Sequence, residues 1–188
     1  MAETALVRGR ATRERLLGAA VSLIGEVGWN RVTTRMAAER ARVAPGVVHY
    51  HFSSVTDLLI AASLESIRDL MGRLLERLAG QSDLDTGVDW LLREVAAYPG
   101  DDSASLLMVE TYLAATRIPR LHDELAALVL GFRRSLAAWL AERGCSDAGA
   151  VAALLGAAID GLILHHHLDR SLDVAALAGP IRRMLRKG

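Results

Sequence analysis

The chain is short of three things that many proteins of its size carry. Its 188 residues include one cysteine, Cys145, and only 4% aromatic side chains, and 22 Lys and Arg cancel 22 Asp and Glu to a formal net charge of zero. A lone cysteine forms no internal disulfide and no paired-thiolate metal site, so a reducing cytoplasm is the natural compartment. Long apolar runs are scarce too. The longest charge-free stretch near the C-terminus, Ala148 to Ile159, has 12 residues, fewer than the roughly 20 a membrane-spanning helix needs. The opening residues MAETALVRGR lack the apolar core of a secretory signal. No membrane partner is therefore expected. There is no Gly-rich phosphate loop, no cysteine pair and no nucleophile with a convincing partner, which argues against an enzyme. His122-Asp123-Glu124 and Cys145 read as helix-surface residues near a start and a stop.

What is present is a globular chain: 52% of its residues are apolar, too many for a mainly disordered protein. The length suits one compact domain, or a small module joined to a larger one. The zero net charge averages two unlike parts. Residues 1–58 carry eight arginines (8, 10, 13, 15, 31, 35, 40, 42) against five acids, a balance of +3. Residues 59–188 carry 14 bases against 17 acids, a balance of −3. A basic N-terminal module on an acidic body is the asymmetry expected when one end meets a polyanion.

Helical periodicity dominates and no strand pattern stands out. Leu16, Ala20, Leu23 and Val27 predict an amphipathic helix from about Thr12 to Val27, stopped by Gly28. Thr33 and Thr34 are candidate caps of a short helix to about Ala41. Val43-Ala44-Pro45-Gly46 is turn-like and starts a second short helix, roughly Pro45 to His51, with Pro45 suited to its first turn. Ser53-Ser54 caps a long helix marked by Ile60, Leu64, Ile67, Met71, Leu74 and Leu78, running to about Ala79. Further helices are expected near 84–98, 102–116, 119–143, 147–168 and 173–187, with Gly179-Pro180 breaking or kinking the last. The predicted fold is all-α: a three-helix, helix-turn-helix DNA-binding domain over residues 1–53, then a helical bundle over 54–188.

In such a unit the second short helix enters the major groove with its first residues facing base edges. Pro45, Gly46 and Val47 are small enough there for close approach, and His49, Tyr50 and His51 offer donors to phosphate oxygens. Thr33, Thr34 and Arg35 sit at a helix N-terminus, where free amides and the helix dipole suit a phosphate. Spacing and charge alone also fit a small helical cap packed on the bundle, with His49 or His51 half-buried and hydrogen-bonded.

The run TRERLLGAAVSLIGEVGWNRVTTRMAAERARVAPGVVHYHFSSVTDLL resembles the DNA-binding region of the tetracycline-repressor family. The matching features are Ala19-Ala20, Gly28, Thr33-Thr34, Ala37, Val43, Gly46, His51-Phe52, Ser54 and Leu58, in order across several elements. The resemblance covers about a quarter of the chain and implies DNA binding. Four positions depart from the family pattern. Arg42 stands where the turn Gly is usual, and Ala44 where a capping Ser is common. His49 replaces a usual phosphate-binding Tyr, and Val55 a usual Lys. An Arg at a left-handed turn position costs about 1 kcal/mol against Gly, unless the turn adjusts, and it can add a phosphate contact. Loss of the Lys removes a backbone contact and its counterion release.

The segment 147–168 is apolar nearly all round, so a helix there must be covered on both sides. Val151, Leu154, Leu155, Ala158 and Leu162, with His165 and His166, read either as a two-fold dimer interface or as part of a monomer core. The resemblance implies the homodimer, because these repressors pair through their last two long helices. A two-fold pair also matches a palindromic operator, with half-sites about one helical turn, roughly 34 Å, apart. His165-His166-His167 invites a metal reading, but successive helical residues point about 100° apart and cannot ligate one ion together. No metal and no cofactor is expected.

The resemblance further implies an effector pocket in the bundle. Met71, Trp90, Met108, Tyr112 and Phe132 are the candidates to line it, Met108 and Tyr112 first, with Tyr98 and Trp139 also large enough. Few charges fall on these faces, so the effector is expected to be uncharged or largely apolar. The expected function is a cytoplasmic, ligand-responsive transcriptional repressor released from its operator by a small molecule. A regulator of the same fold that needs no effector is the alternative.

Overall fold

The computed structural model describes residues 2–97, 103–169 and 171–186, and every regular element among them is helical. The chain divides into two compact units, one of Met1–Ile67 with Ser103–Glu124, the other of Arg68–Asp102 with Leu125–Gly188.

The first unit is organised on α1 (Ala2–Val27). That helix starts about ten residues before the predicted Thr12, since no proline stops it and Gly9 alone weakens it, by about 1 kcal/mol. Leu16, Ala20, Leu23 and Ile24 lie along its buried side. Two short helices follow, α2 (Thr34–Arg40) and α3 (Pro45–His51), with the bounds the sequence leads one to expect. The long α4 (Val55–Ala79) begins in this unit and ends where its apolar periodicity ends. Its first turn is capped by Ser54, whose Oγ accepts the Asp57 N–H at 3.0 Å.

The sequence gives no hint that α6 (Ser103–Ala115) belongs with these elements. It packs along α1, burying Leu107 and Thr111. The Thr111 hydroxyl donates to the Leu107 carbonyl at 2.6 Å, which satisfies it inside the apolar contact. One turn away, Glu110 Oε2 accepts the backbone N–H of Trp29 at 2.8 Å. Trp29 opens a 3-10 turn after Gly28, whose φ of 82° is left-handed and favours glycine. The Glu110 carboxylate thus takes up a free N–H at the start of that turn. At the start of α7 (Pro119–Glu142), Arg120 donates to Asp57 at 2.8 Å and to Glu124 at 2.9 Å.

In the second unit α5 (Leu84–Ala97), the rest of α7, α8 (Ala148–Leu168) and α9 (Ala178–Arg186) surround one core. Val88, Leu92 and Val95 of α5 meet Leu136, Trp139 and Leu140 of α7 and Ala152 and Leu155 of α8. The last segment is interrupted, as Gly179-Pro180 leads one to expect, but a few residues earlier than that pair. A 3-10 turn at Ala175–Leu177 precedes α9, and Gly179 and Pro180 sit in the first turn of α9. Proline is tolerated there because its missing N–H would have had no partner. The window Ala148–His165 averages a hydropathy of 1.7 over 18 residues, enough by length and composition to cross a membrane. The charge-free count of 12 understated it because Asp160 interrupts the run without lowering the mean much. Core helices pass the same test, and only 17% of this window is buried.

Trp139 fits because position 87 has no side chain. A Cβ on Gly87 would fall 2.7 Å from Trp139 Cζ2 and nearer still to Cη2. The indole also carries the Arg143 guanidinium, 4.3 Å from the ring centroid. Arg143 also donates to the carbonyls of Gln81 at 2.9 Å and Trp139 at 3.1 Å. A Cβ at position 87 would force the ring to move against the guanidinium that lies on it. Gly87→Ala is therefore expected to destabilise the second unit by about 1–3 kcal/mol, seen as an earlier urea transition; an unchanged midpoint would refute the close fit.

Candidate nucleic-acid interface

The reading helix α3 is only seven residues long, too short to hold its shape alone in water. It is held from both ends and from beneath. Thr33 is the N-cap of α2, its Oγ1 accepting the Met36 N–H at 3.2 Å. At the other end of α2, the Val43 N–H reaches the Ala38 carbonyl at 2.9 Å and the Arg42 N–H reaches that of Glu39 at 3.1 Å. This pair of bonds is a Schellman ending, which requires a left-handed residue between them. Arg42 is that residue, with φ 56°. The turn has kept its geometry and accepted the non-glycine residue, at a cost of about 1 kcal/mol.

Ala44 then stands extended at the N-cap of α3 without a side-chain cap, and Pro45 presets the first turn. Beneath, Val48 has no exposed surface and Phe52 is buried. Arg13 lies over the Phe52 ring at 5.7 Å and pairs with Glu65 at 3.1 Å.

What faces outward on α3 is nearly all of the expected reading set. Pro45 and Gly46 are exposed, and a Cβ on Gly46 would meet nothing within 4 Å. Val47 is half-buried and His49 exposed. Tyr50 is 84% exposed. His51 is half-buried, its ring in edge contact with Tyr50 at 5.1 Å. At the start of α2, Thr34 is half-buried and Arg35 exposed. The Thr33 hydroxyl already serves as the cap, so its remaining lone pair and the first-turn amides are what it presents. Val55 opens α4 with no charge to offer.

Sequence reasoning passed over Arg15 and Arg40, which share a cleft with Arg42. Their visible signal was only their place in the arginine count. Arg40 is held by Glu26 through two parallel hydrogen bonds of 2.7 and 2.6 Å. These bonds hold the Glu26 carboxyl below the ordinary carboxylate range and raise Arg40.

The expected body sites are divided between the units. Met108 and Tyr112 lie on α6 in the first, while Met71, Trp90 and Phe132 belong to the second. Trp90 and Phe132 both pack against its core from partly buried positions. Tyr98 lies outside the described residues. On α8, Leu155 is buried in the chain's own core, and Val151, Ala158 and Leu162 are half-buried. Leu154 is 53% exposed, and Leu164 and Leu168, outside the expected set, are exposed as well. His165 is exposed, and the side chain of His166 lies outside the described residues. Among the described residues, no three His, Cys, Asp or Glu side chains come together as a metal site.

Two family descriptions match this chain: bacterial regulatory proteins of the tetR family over residues 16–62, and the tetracyclin repressor-like C-terminal domain over 80–187. The HTH-type transcriptional regulator BetI of Brucella suis is 31% identical over 186 residues, covering 88% of this chain and 85% of the relative. A solved transcriptional regulator from Streptomyces coelicolor superposes with a TM-score of 0.76 at 30% identity, over 94% of this chain and 99% of that one. A Saccharomonospora viridis regulator in complex with choline gives 0.75 at 21% identity, over 94% and 96%. At that identity the likeness concerns the fold alone.

The lowered pKa of Glu26 gives the Arg40 pair a defined pH window. Its contribution is present above the unfolded carboxylate value and is lost as pH falls through the lowered folded one. Wild type is thus expected to outlast Glu26→Gln in thermal unfolding near neutral pH, with the difference vanishing in acid. A difference that grew in acid would contradict the pairing.

Proposed function

The chain belongs to the tetracycline-repressor family of bacterial transcription regulators, and on that premise we propose that it is a cytoplasmic, homodimeric, ligand-responsive repressor. Residues 1–53 form the reading head, and 54–188 serve effector binding and dimerisation. The observation that carries this reading is α3, whose first turn is bare and whose Tyr50 and His49 stand in solvent while Val48 anchors it. Pro45, Gly46 and Val47 face base edges. Thr33, Thr34 and Arg35 present the α2 N-terminus to a phosphate, and Arg42, His49, Tyr50 and His51 supply further backbone contacts.

A seven-residue helix reads too few bases to select one site in a genome, so two copies on a palindrome are needed. The exposed apolar residues of α8, Leu154, Leu164 and Leu168, support pairing through that helix, with Val151, Ala158, Leu162, His165 and His166 around them. Leu155 stiffens the helix from its buried side. In this reading the apolar composition of Ala148–His165 serves a second copy of the chain.

For a largely apolar effector the candidates are Met71, Trp90 and Phe132 in the second unit and, separately, Met108 and Tyr112 in the first. The effector favours a spacing of the two heads unsuited to the operator, a population shift. Two structural features support transmission to the head: α4 is unbroken from Val55 to Ala79, and α6 is bonded to the head through Glu110 and Trp29.

The experiment is selection of duplexes from random DNA by the purified protein, followed by a screen for release by small molecules. Choline, bound by the Saccharomonospora viridis regulator of the same fold, serves as the first charged probe beside a panel of apolar compounds. A selected palindrome, and one compound that releases it, are expected; a protein that selects no duplex would end the DNA reading. Tyr50→Ala should weaken binding to all duplexes together without lowering the melting temperature, because its side chain is in solvent. Leu164→Glu should convert a dimer of about twice 20.2 kDa into monomers by light scattering, and a wild-type monomer at micromolar concentration would refute the pairing.

A further inference from the structure

A cleft of about 440 Å³ opens between the second half of α1 and the turn that leads into α3. Arg15, Gly18, Ala19 and Ser22 line it from α1, Arg40 from the last position of α2, and Ala41 and Arg42 from the turn after it. The lining contains three guanidinium groups, no carboxylate and no large apolar side chain. That composition rejects an apolar effector and suits an anion. Guanidinium forks match the oxygen geometry of phosphate, with two donors to two oxygens. The small residues Gly18 and Ala19 leave the floor open, and the Ser22 hydroxyl already donates to the Gly18 carbonyl at 3.1 Å.

Each arginine has a separate reason to be where it is. Arg40 is fixed in direction by its two bonds to Glu26. Arg15 rests on the Thr12 hydroxyl at 3.2 Å. Arg42 occupies a left-handed position, φ 56°, that favours glycine. A residue held in a disfavoured conformation beside a cleft points to a use for its side chain. With Glu26 counted against Arg40, the cleft keeps an excess of two positive charges.

We infer that this cleft is a phosphate-binding site, filled by a backbone phosphodiester of the DNA that α3 reads. The inference rests on the DNA-binding reading and adds to the Arg42 contact a second side, made by Arg15 of α1 with Arg40 at the end of α2. Two residues after Arg42 comes Ala44, the N-cap of α3. A phosphate gripped there would fix the register of the reading helix from its N-terminal side.

The test compares wild type, Arg15→Ala, Arg42→Gly and the double variant on the duplex that wild type selects, over a range of salt concentrations. Arg73→Ala on α4 serves as the charge control. Each cleft variant should bind several-fold more weakly and lower the slope of log affinity against log salt by roughly one for each guanidinium removed from the phosphate. Arg42→Gly should do so with an equal or higher melting temperature, because glycine relieves the turn. Glu26→Gln, which frees Arg40, should raise both affinity and slope.

A second arm titrates inorganic phosphate into the DNA-free protein and follows the arginine Nε–H resonances by NMR. Unchanged DNA affinity and slope in the variants, together with phosphate-dependent shifts that the double variant lacks, would overturn the DNA source. The cleft would then serve a free phosphorylated molecule. Unchanged DNA binding without such shifts would overturn the site altogether. If wild type selects no duplex, the DNA reading itself has failed, and the phosphate arm decides the cleft alone.

Discussion

Everything at the DNA-reading end depends on holding a seven-residue helix in place. An isolated helix of that length is unstable in water, because few residues share the cost of nucleation. The molecule supplies what α3 lacks. Val48, with no exposed surface, ties it to the core, and Phe52 closes its far end under Arg13. The Schellman ending of α2 and Pro45 fix the angle at which it leaves the turn. Because its inward residues do all the anchoring, its outward ones, Gly46, His49 and Tyr50, are free of structural duty.

The second dependence is on α6. A helix some fifty residues beyond α3 in the chain packs on α1 and places Glu110 at the Trp29 N–H. The reading head is therefore not self-sufficient in its hydrogen bonding. A part-buried amide at the start of its 3-10 turn is satisfied from outside the helix-turn-helix segment. Such a bond is worth most as a constraint: losing it strands a donor, which costs about 1–3 kcal/mol. Whatever shifts α6 must therefore carry the turn with it or break that bond.

Electrostatics in this head is local. The chain has zero net charge, and the excess of the first 58 residues is small. Two of its arginines are engaged in ion pairs within the fold: Arg13 with Glu65, beside Phe52, and Arg40 with Glu26. Diffuse attraction to a polyanion is correspondingly modest. Affinity must come from placing a few donors at the right separation, which is what rigid caps and turns achieve.

Much of this was legible in the residues themselves. The bounds of α2 and α3, the Thr33 cap, the end of α4 at Ala79 and the all-helical class all follow from local rules of periodicity, capping and turn chemistry. Local rules act over one or two turns, so a sequence can state them. They did not show how far α1 runs back towards the N-terminus, and they set the break within 173–187 at Gly179-Pro180, whereas a 3-10 turn at Ala175–Leu177 precedes α9. They also could not decide whether Arg42 would bend its turn or adopt the left-handed conformation; the surrounding bonds chose the second. The notch at Gly87 for Trp139, the burial of Leu155 beside exposed Leu154, the reach of Glu110 to Trp29 and the meeting of Arg15 with Arg40 and Arg42 all join residues remote in the chain or on different helix faces. The sequence by itself determined the all-helical class and the bounds of most helices, and its resemblance to a known family singled out the helix-turn-helix as the part suited to DNA. Only the tertiary structure decided which side chains are left free to act, because that depends on what the folded chain brings against each of them.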